Sequence, residues 1–396
     1  MTNKVTFCFF TQDMDMKYIV SMLVMTSLLY GKMVIAEEIS LHDKIGQMLI
    51  VGFEGKDVDS QSPVVQSIAK DNIGGVILFD YNYQTKIFDK NIESPQQVQR
   101  LNARLQNYSK MANQDHHRPL LPLLISVDYE GGKVDRLKAE YGFPSTISAA
   151  DVGKMSESDA NTIASNMAQT LKNSGFNLNF APVLDVNVNP DNPIIGMKDR
   201  SFSDNPNIVA FYASLYSQNF LAHGIQCAYK HFPGHGSANA DSHLGFVDVT
   251  NSWKSYELEP YSSLLGYEQA CGMVMTAHIV NRQLDDTGLP ATLSHQILTG
   301  ILREQLNFDG VIITDDMQMK AISQHYGLEQ ALILAINAGA DMFIFGNQLT
   351  DKYQDPSSII DIIEAAVNAG KISQSRIDDA YRHITVFKRS IINEGV

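Results

Sequence analysis

Fourteen residues near the middle of the chain read Lys230-His-Phe-Pro-Gly-His-Gly-Ser-Ala-Asn-Ala-Asp-Ser-His243. They bring three histidines, a lysine and an aspartate together. Two glycines beside a proline make the segment a loop, able to fold over a pocket. Asp241 stands two residues before His243. A carboxylate beside an imidazole fixes its tautomer and raises its proton affinity, which makes a usable acid/base. The alternative is a zinc hydrolase, with His231, His235, Asp241 and His243 as ligands. The four-residue spacing of His231 and His235 spans Pro233-Gly234. It therefore does not present two imidazoles from adjacent turns of one helix, and no metal is expected.

Two further clusters carry chemistry. The apolar run Gly310-Val-Ile-Ile-Thr314 ends at Asp315-Asp316. An aspartate emerging from such a run is placed as a nucleophile or base, or else as a cap or ion-pair partner. Asp315 follows the run directly, and Asp316 is expected to point away as a cap or salt-bridge partner. Asp128, Glu130-Gly-Gly132 and Arg136 form the other cluster. Its short acceptors and forked donor suit sugar hydroxyls and carbonyl groups, or a structural ion pair. Arg200 and Lys230 add positive charge that suits a polar or anionic ligand.

These residues need a frame. Eight short apolar runs alternate with longer helical stretches: Gln47–Phe53, Gly75–Phe79, Leu123–Val127, Leu178–Val183, Gln226–Lys230, Met273–Ala277, Gly310–Thr314 and Met342–Phe345. Near-continuous apolar runs separated by helices describe parallel strands buried on both faces. Eight such units predict a single α/β domain, a (β/α)8 TIM-type barrel. Two doubly wound domains are the alternative, but no linker divides the chain. Helices are predicted over Ser94–Met111, Ser156–Ser174, Asn205–His223, Glu329–Ala338, Pro356–Ala369 and Gln374–Ile392. The first and third open at Ser94-Pro95 and Asn205-Pro206 caps, and the second to fifth stop at Gly175, Gly224, Gly339 and Gly370. Barrel active sites lie at the C-terminal ends of the strands. Asp80, Asp128, Asp185, Lys230, His278 and Asp315 all fall there.

Composition narrows the function. The chain has 396 residues and a formal charge of −14, with 44% hydrophobic residues. Disorder and a polytopic membrane protein are excluded. Nucleic acid is not expected as a partner, since phosphate binding needs a basic footprint. The three cysteines, Cys8, Cys227 and Cys271, show no metal spacing. Cys227 and Cys271 are expected to be buried free thiols. Residues 1–36 read as an export leader: Lys17, the apolar run Tyr18–Leu29, then a small-residue site ending at Ala36. Met16 is an alternative start. The run is short for a membrane span, so no span is expected after leader removal. The expected location is periplasmic or secreted, with a membrane anchor by an uncleaved leader as the alternative. The catalytic barrel then occupies residues 37–396.

Taken together, the segments resemble glycoside hydrolase family 3, in its β-N-acetylglucosaminidase branch. The resemblance rests on Lys230-His-Phe-Pro-Gly-His-Gly with Asp241-Ser-His243. Further matches are Asp128-x-Glu-Gly-Gly-Lys-Val-x-Arg136, Asn179-Phe-Ala-Pro-Val-Leu-Asp185-Val-Asn, Arg200-Ser-Phe-Ser and Gly310-Val-Ile-Ile-Thr-Asp315-Asp. It covers about residues 40–350. It implies retaining, two-step hydrolysis with Asp315 as nucleophile and His243, paired with Asp241, as acid/base. It implies Asp128, Arg136, Arg200, Lys230 and His231 as contacts to a terminal N-acetylglucosamine, and no cofactor. The implied substrates are peptidoglycan fragments or chitooligosaccharides. A β-glucosidase, a β-xylosidase or an N-acetylglucosamine phosphorylase are the neighbouring activities. Two departures stand out. Tyr129 and Lys133 replace the usual Gln and Arg, and Ile195-Gly-Met-Lys-Asp-Arg200 is two residues longer than the usual stretch. Too few residues follow Asn347 for the second α/β domain of many relatives, so the barrel is expected to work alone. Nothing in the sequence sets the oligomeric state.

Overall fold

A computed structural model describes residues 39–349 and 353–393; the leader assignment and Cys8 lie outside them. The described residues form a closed, eight-stranded parallel barrel ringed by helices. Its strands are β1 (Leu49–Gly52), β2 (Gly75–Ile77), β3 (Leu124–Val127), β4 (Leu178–Asn179), β5 (Gln226–Phe232), β6 (Met273–Thr276), β7 (Val311–Asp316) and β8 (Met342–Phe345). Each pairs with its sequence neighbours, and β1 closes on β8 with Leu49 opposite Phe343 and Val51 opposite Phe345. Every expected strand is present. The apolar runs are continuous because each strand is buried on both faces: Ile50, Val76, Ile125, Val274, Ile312 and Phe343 are all at or near zero exposure.

The helices begin where the caps place them. Ser94 accepts from the Gln97 amide ahead of Pro95–Asp115, and Ser156 accepts from the Asp159 amide ahead of Glu157–Asn173. Asn205 does the same for Pro206–Ala222. Each satisfies an amide that the first turn leaves unpaired. Leu328–Ala338 stops at Gly339, which adopts φ +117. Pro356–Asn368 and Gln374–Asn393 follow the last strand.

Two strands run further than their apolar residues. β5 continues through Lys230-His231-Phe232, and β7 continues through Asp315-Asp316. Pairing shifts register between Tyr229 and Phe232 on β5, and between Met342 and Ile344 where β8 meets β7. Irregularities of this kind turn side chains at barrel rims.

The cysteines correct the sequence reading. Cys227 and Cys271 are not free thiols but a disulfide, with Cα atoms 4.9 Å apart. Cys227 lies early in β5, and Cys271 just precedes β6. These are adjacent parallel strands with Ala228 opposite Met273. Barrel neighbourhood therefore brings together two residues 44 positions apart. The bond lies at the N-terminal ends of the strands, away from their C-terminal ends.

Candidate active site

One cavity opens at the C-terminal face of the barrel. Its walls include Asp128, Glu130, Arg136, Arg200, Lys230, His231, His243, Asp315 and Asp316, over a floor containing Phe180, Met275 and Ile344. All five residues expected to contact substrate line it, as do Asp315 and His243. Asp241 joins through its bond to His243.

Three charged side chains form its most buried part. Glu130 sits in the short hairpin after β3, formed by Tyr129–Gly131 and Val134–Asp135. Its two oxygens each accept from Arg200, from Nε and an Nη, both at 2.7 Å. Lys230 Nζ approaches the same carboxylate at 2.6 Å and Asp128 at 2.8 Å. Burial opposes ionisation of Glu130, but the two cations outweigh it and hold the carboxyl well below the usual range. Asp128 keeps more exposure than either cation, so its outer face remains available to a ligand.

The longer Ile195–Arg200 stretch does not displace Arg200. The extra length is taken up by a 3₁₀ turn, Gly196–Lys198, with Asp199 at φ 56. Asn192 anchors the segment by donating to the His235 carbonyl at 2.7 Å. Arg136 lies 3.7 Å from the fully buried Asp80 and over the Phe79 ring.

His231 is oriented by Asp185. The carboxylate engages Nδ1 at 2.6 Å and accepts from the backbone amides of His231 and His235. Nε2 is thereby left facing Arg200, 3.4 Å away. His235 packs behind it and meets the Ser242 hydroxyl at 3.3 Å. The loop's glycines are steric requirements. A Cβ on Gly236 would lie 1.7 Å from the Val186 carbonyl oxygen, and Gly234 adopts φ +114 against Glu257. Among the described residues, no group of three or more His, Cys, Asp or Glu is arranged to hold a metal ion. The histidines are each committed to separate partners.

Asp241 accepts from the His243 amide at 2.8 Å and engages its Nδ1 at 2.7 Å. That leaves Nε2 as the ring atom free to face a ligand. Burial would lower the His243 pKa, but the Asp241 bond and the charges of Asp315 and Asp241 outweigh it and raise it. His243 is thus held toward its protonated, proton-donating form.

Asp315 ends β7. Burial opposes its charge, and the imidazoles of His278, His231 and His243 outweigh that opposition, holding the carboxyl at about 2. His278 is itself buried, with Nε2 donating to the Asp316 carbonyl at 3.0 Å and Nδ1 at 2.8 Å from Thr292. Asp316 differs from its expected place. It caps the following turn by accepting from the Gln318 amide, as a cap should, but it also lines the cavity. No salt bridge to it forms among the described residues. Burial, with the Asp315 charge beside it, pushes its carboxyl up to about 7. The neighbours therefore divide, one held ionised and the other pushed toward its protonated form.

Four contributors lay outside the expected catalytic and substrate-binding set: Glu130, Asp185, His235 and His278. Asp185 and His278 carried the same positional signal as the chosen residues, since both lie just beyond a strand. Glu130 and His235 were visible in their motifs, but only the folded pairing shows what they hold.

The glycosyl hydrolase family 3 N-terminal domain matches residues 40–387. The chain belongs to glycoside hydrolase family 3. It is 35% identical over 291 residues to the beta-hexosaminidase A of Pseudoalteromonas piscicida, covering 69% of this chain but 46% of that protein. The chain thus spans about half of that relative. It is 30% identical to the beta-hexosaminidase of Tolumonas auensis, covering 87% of this chain and 99% of that one. Among solved structures, it superposes on a family 3 beta-N-acetylglucosaminidase from Paenibacillus sp. with a TM-score of 0.79 at 32% identity, covering 89% of this chain and 63% of the other. A beta-N-acetylhexosaminidase from Beutenbergia cavernae gives a TM-score of 0.77 at 27% identity, covering 89% and 99%.

Proposed function

We propose that this family 3 hydrolase is an exo-acting, retaining β-N-acetylhexosaminidase that releases terminal β-linked N-acetylglucosamine. One observation carries the reading. An ionised carboxylate, Asp315, and a carboxylate-oriented imidazole, His243 with Asp241, meet at one cavity whose opposite wall is a fixed array of sugar-binding polar groups.

In the first step an Asp315 oxygen bonds to the anomeric carbon. The bond from that carbon to the leaving oxygen breaks, and the oxygen takes the proton from His243 Nε2. In the second step neutral His243 removes a proton from water, and the water oxygen displaces Asp315. Two inversions give retention. Asp241 keeps the ring oriented and steadies the imidazolium. Asp128, Lys230, Arg200, Arg136 and His231 hold the sugar, the first four by charge-assisted hydrogen bonds to its hydroxyl and acetamido oxygens or hydroxyl protons.

The disulfide supports an exported location, since such bonds persist in oxidising compartments. The leader pattern at residues 1–36 points the same way. Among the described residues no helix is long and apolar enough to cross a membrane. An exported enzyme would act on peptidoglycan fragments or chitooligosaccharides.

The test is release of nitrophenol from its β-N-acetylglucosaminide and β-glucoside, each with and without chelator and phosphate. Release from the N-acetyl substrate alone, independent of both additives, is expected. Release from the glucoside alone would overturn the sugar assignment, and dependence on phosphate would make the enzyme a phosphorylase. Loss with chelator would move the histidines from acid/base work to metal binding.

A further inference from the structure

The two places where this chain departs from its family's motifs meet in space. Lys133, standing where arginine is usual, donates from Nζ to the Met197 carbonyl at 2.9 Å and to Asp199 at 2.7 Å. Both acceptors belong to the lengthened stretch that forms the 3₁₀ turn Gly196–Lys198. The hairpin after β3 therefore braces the extra residues of the loop after β4. Lys198 closes that turn and lines the cavity with His243 and Arg200. It lies near enough to the acid/base pair to help lower the Asp241 pKa, after burial and the His243 bond have acted. Among the described residues its ammonium forms no hydrogen bond or ion pair.

This contrasts with the other cations of the cavity. Lys230 pairs with Asp128 and Glu130, Arg200 pairs with Glu130, and Arg136 faces Asp80. Lys198 alone among them stands exposed with its charge unspent. Its position is directional. His243 protonates the leaving oxygen, so a group beside the Asp241–His243 pair lies on the leaving-group side of the scissile bond.

We propose that Lys198, presented by the Lys133-braced turn, reads a carboxylate on the aglycone and so makes the enzyme prefer acidic leaving groups over neutral ones. This rests on the hexosaminidase reading, but it adds a determinant for the part of the substrate that the sugar-binding wall does not touch. Lys198 acts by direct contact; Lys133 is a positioning residue that acts through the turn.

The experiment compares kcat/KM for 4-nitrophenyl β-N-acetylglucosaminide and its 3-carboxy-4-nitrophenyl counterpart, in the full chain and in K198M, K198E and K133Q. The intrinsic reactivity of each phenol cancels when the carboxylated-to-neutral ratio is compared between proteins. An exposed charge pair predicts a fall in that ratio of about two- to five-fold in K198M. The fall should be larger in K198E, where attraction becomes repulsion, and K133Q should show an intermediate fall. In the unmodified chain the ratio should shrink as salt is raised, because exposed charges are screened. A ratio unchanged in both Lys198 variants overturns the proposal while leaving the hexosaminidase reading standing. A fall in K198M with no effect of K133Q overturns the bracing role. No turnover of either glycoside by the unmodified chain removes the hexosaminidase reading and this proposal with it.

Discussion

Glu130→Gln tests the centre of the cavity most severely. The substitution keeps the side chain's shape and one acceptor oxygen but removes the charge. In the native cluster one carboxylate serves two cations, Arg200 through a two-pronged pair and Lys230 at 2.6 Å. All three side chains are less than a tenth exposed. After the change Asp128 is the one direct ion-pair partner left to the two buried cations among the described residues, with Asp185 acting on Arg200 by charge alone. Breaking a buried pair by removing one partner costs about 3–5 kcal/mol. Unfolding entropy of about 2.1 cal/mol/K per residue over roughly 350 residues gives about 0.75 kcal/mol per degree. The expected fall in Tm is therefore about 4–7 °C. The dependence on pH has a definite sign. Glu130 is held below its ordinary pKa, so its stabilisation is fully present above the unfolded value of about 4.3 and declines as pH falls below it. Thermal unfolding followed by circular dichroism should show a constant gap between the two proteins from pH 7 to pH 5, narrowing below that. Activity should fall with it, through KM, as Arg200 and Lys230 lose their fixed positions. A gap under 1 °C at pH 7, or one that widens on acidification, would refute the account of the cluster.

Asp315→Ala should lower kcat by about 10⁴-fold or more while leaving Tm near native; retained turnover would sink the nucleophile assignment, and a 2-fluoro sugar should label Asp315 in the unmodified chain. His243→Ala should slow alkyl glycosides far more than nitrophenyl ones, because only a poor leaving group needs the proton; equal losses would count against the acid role. Asp241→Asn keeps an acceptor oxygen but removes the charge that helps raise the His243 pKa against its burial, so the alkaline limb of kcat/KM should move to lower pH, with an unmoved limb contradicting the pairing. Cys227→Ser with Cys271→Ser opens a 44-residue loop, for which chain entropy gives about 4 kcal/mol; Tm should drop by several degrees with kcat unchanged, and an unaltered Tm would refute a stabilising role.

The sequence carried the barrel because each strand is buried on both faces, and such strands announce themselves as unbroken apolar runs. Their ends were less legible. Leu178–Val183 reads as one run, yet the continuous ladder of β4 covers only Leu178–Asn179 and pairing resumes as a lone bridge between Val183 and Lys230; Pro182, between them, has no amide to give the ladder. β5 and β7 run on through Lys230-His231 and Asp315-Asp316, where polar side chains hide the strand from a hydropathy pattern. The disulfide was invisible for a different reason. Two cysteines in separate apolar runs show their burial but not which runs are neighbours, and only barrel order puts Cys227 beside Cys271. Asp316 was misplaced because alternation along a strand sends consecutive residues to opposite faces, and the register shift at the end of β7 breaks that rule.

The same distinction explains how the candidate catalytic groups are held. Asp315 continues a strand of the barrel and is set by the ladder beneath it. His243 lies on a loop, so its position depends on bonds the sequence does not display. Ser242 supplies two of them: its hydroxyl faces His235, and its carbonyl accepts from the Ala321 amide beyond β7. His235 in turn is tied through its amide to Asp185, which also orients His231. The Asp241-Ser-His243 segment is thus a single mechanical unit, in which Ser242 anchors the loop to both the Asp185–His235 network and the short helix that follows β7. The hydroxyl's contact with His235 is a reason for a small polar residue between Asp241 and His243 that neither flanking side chain alone would require.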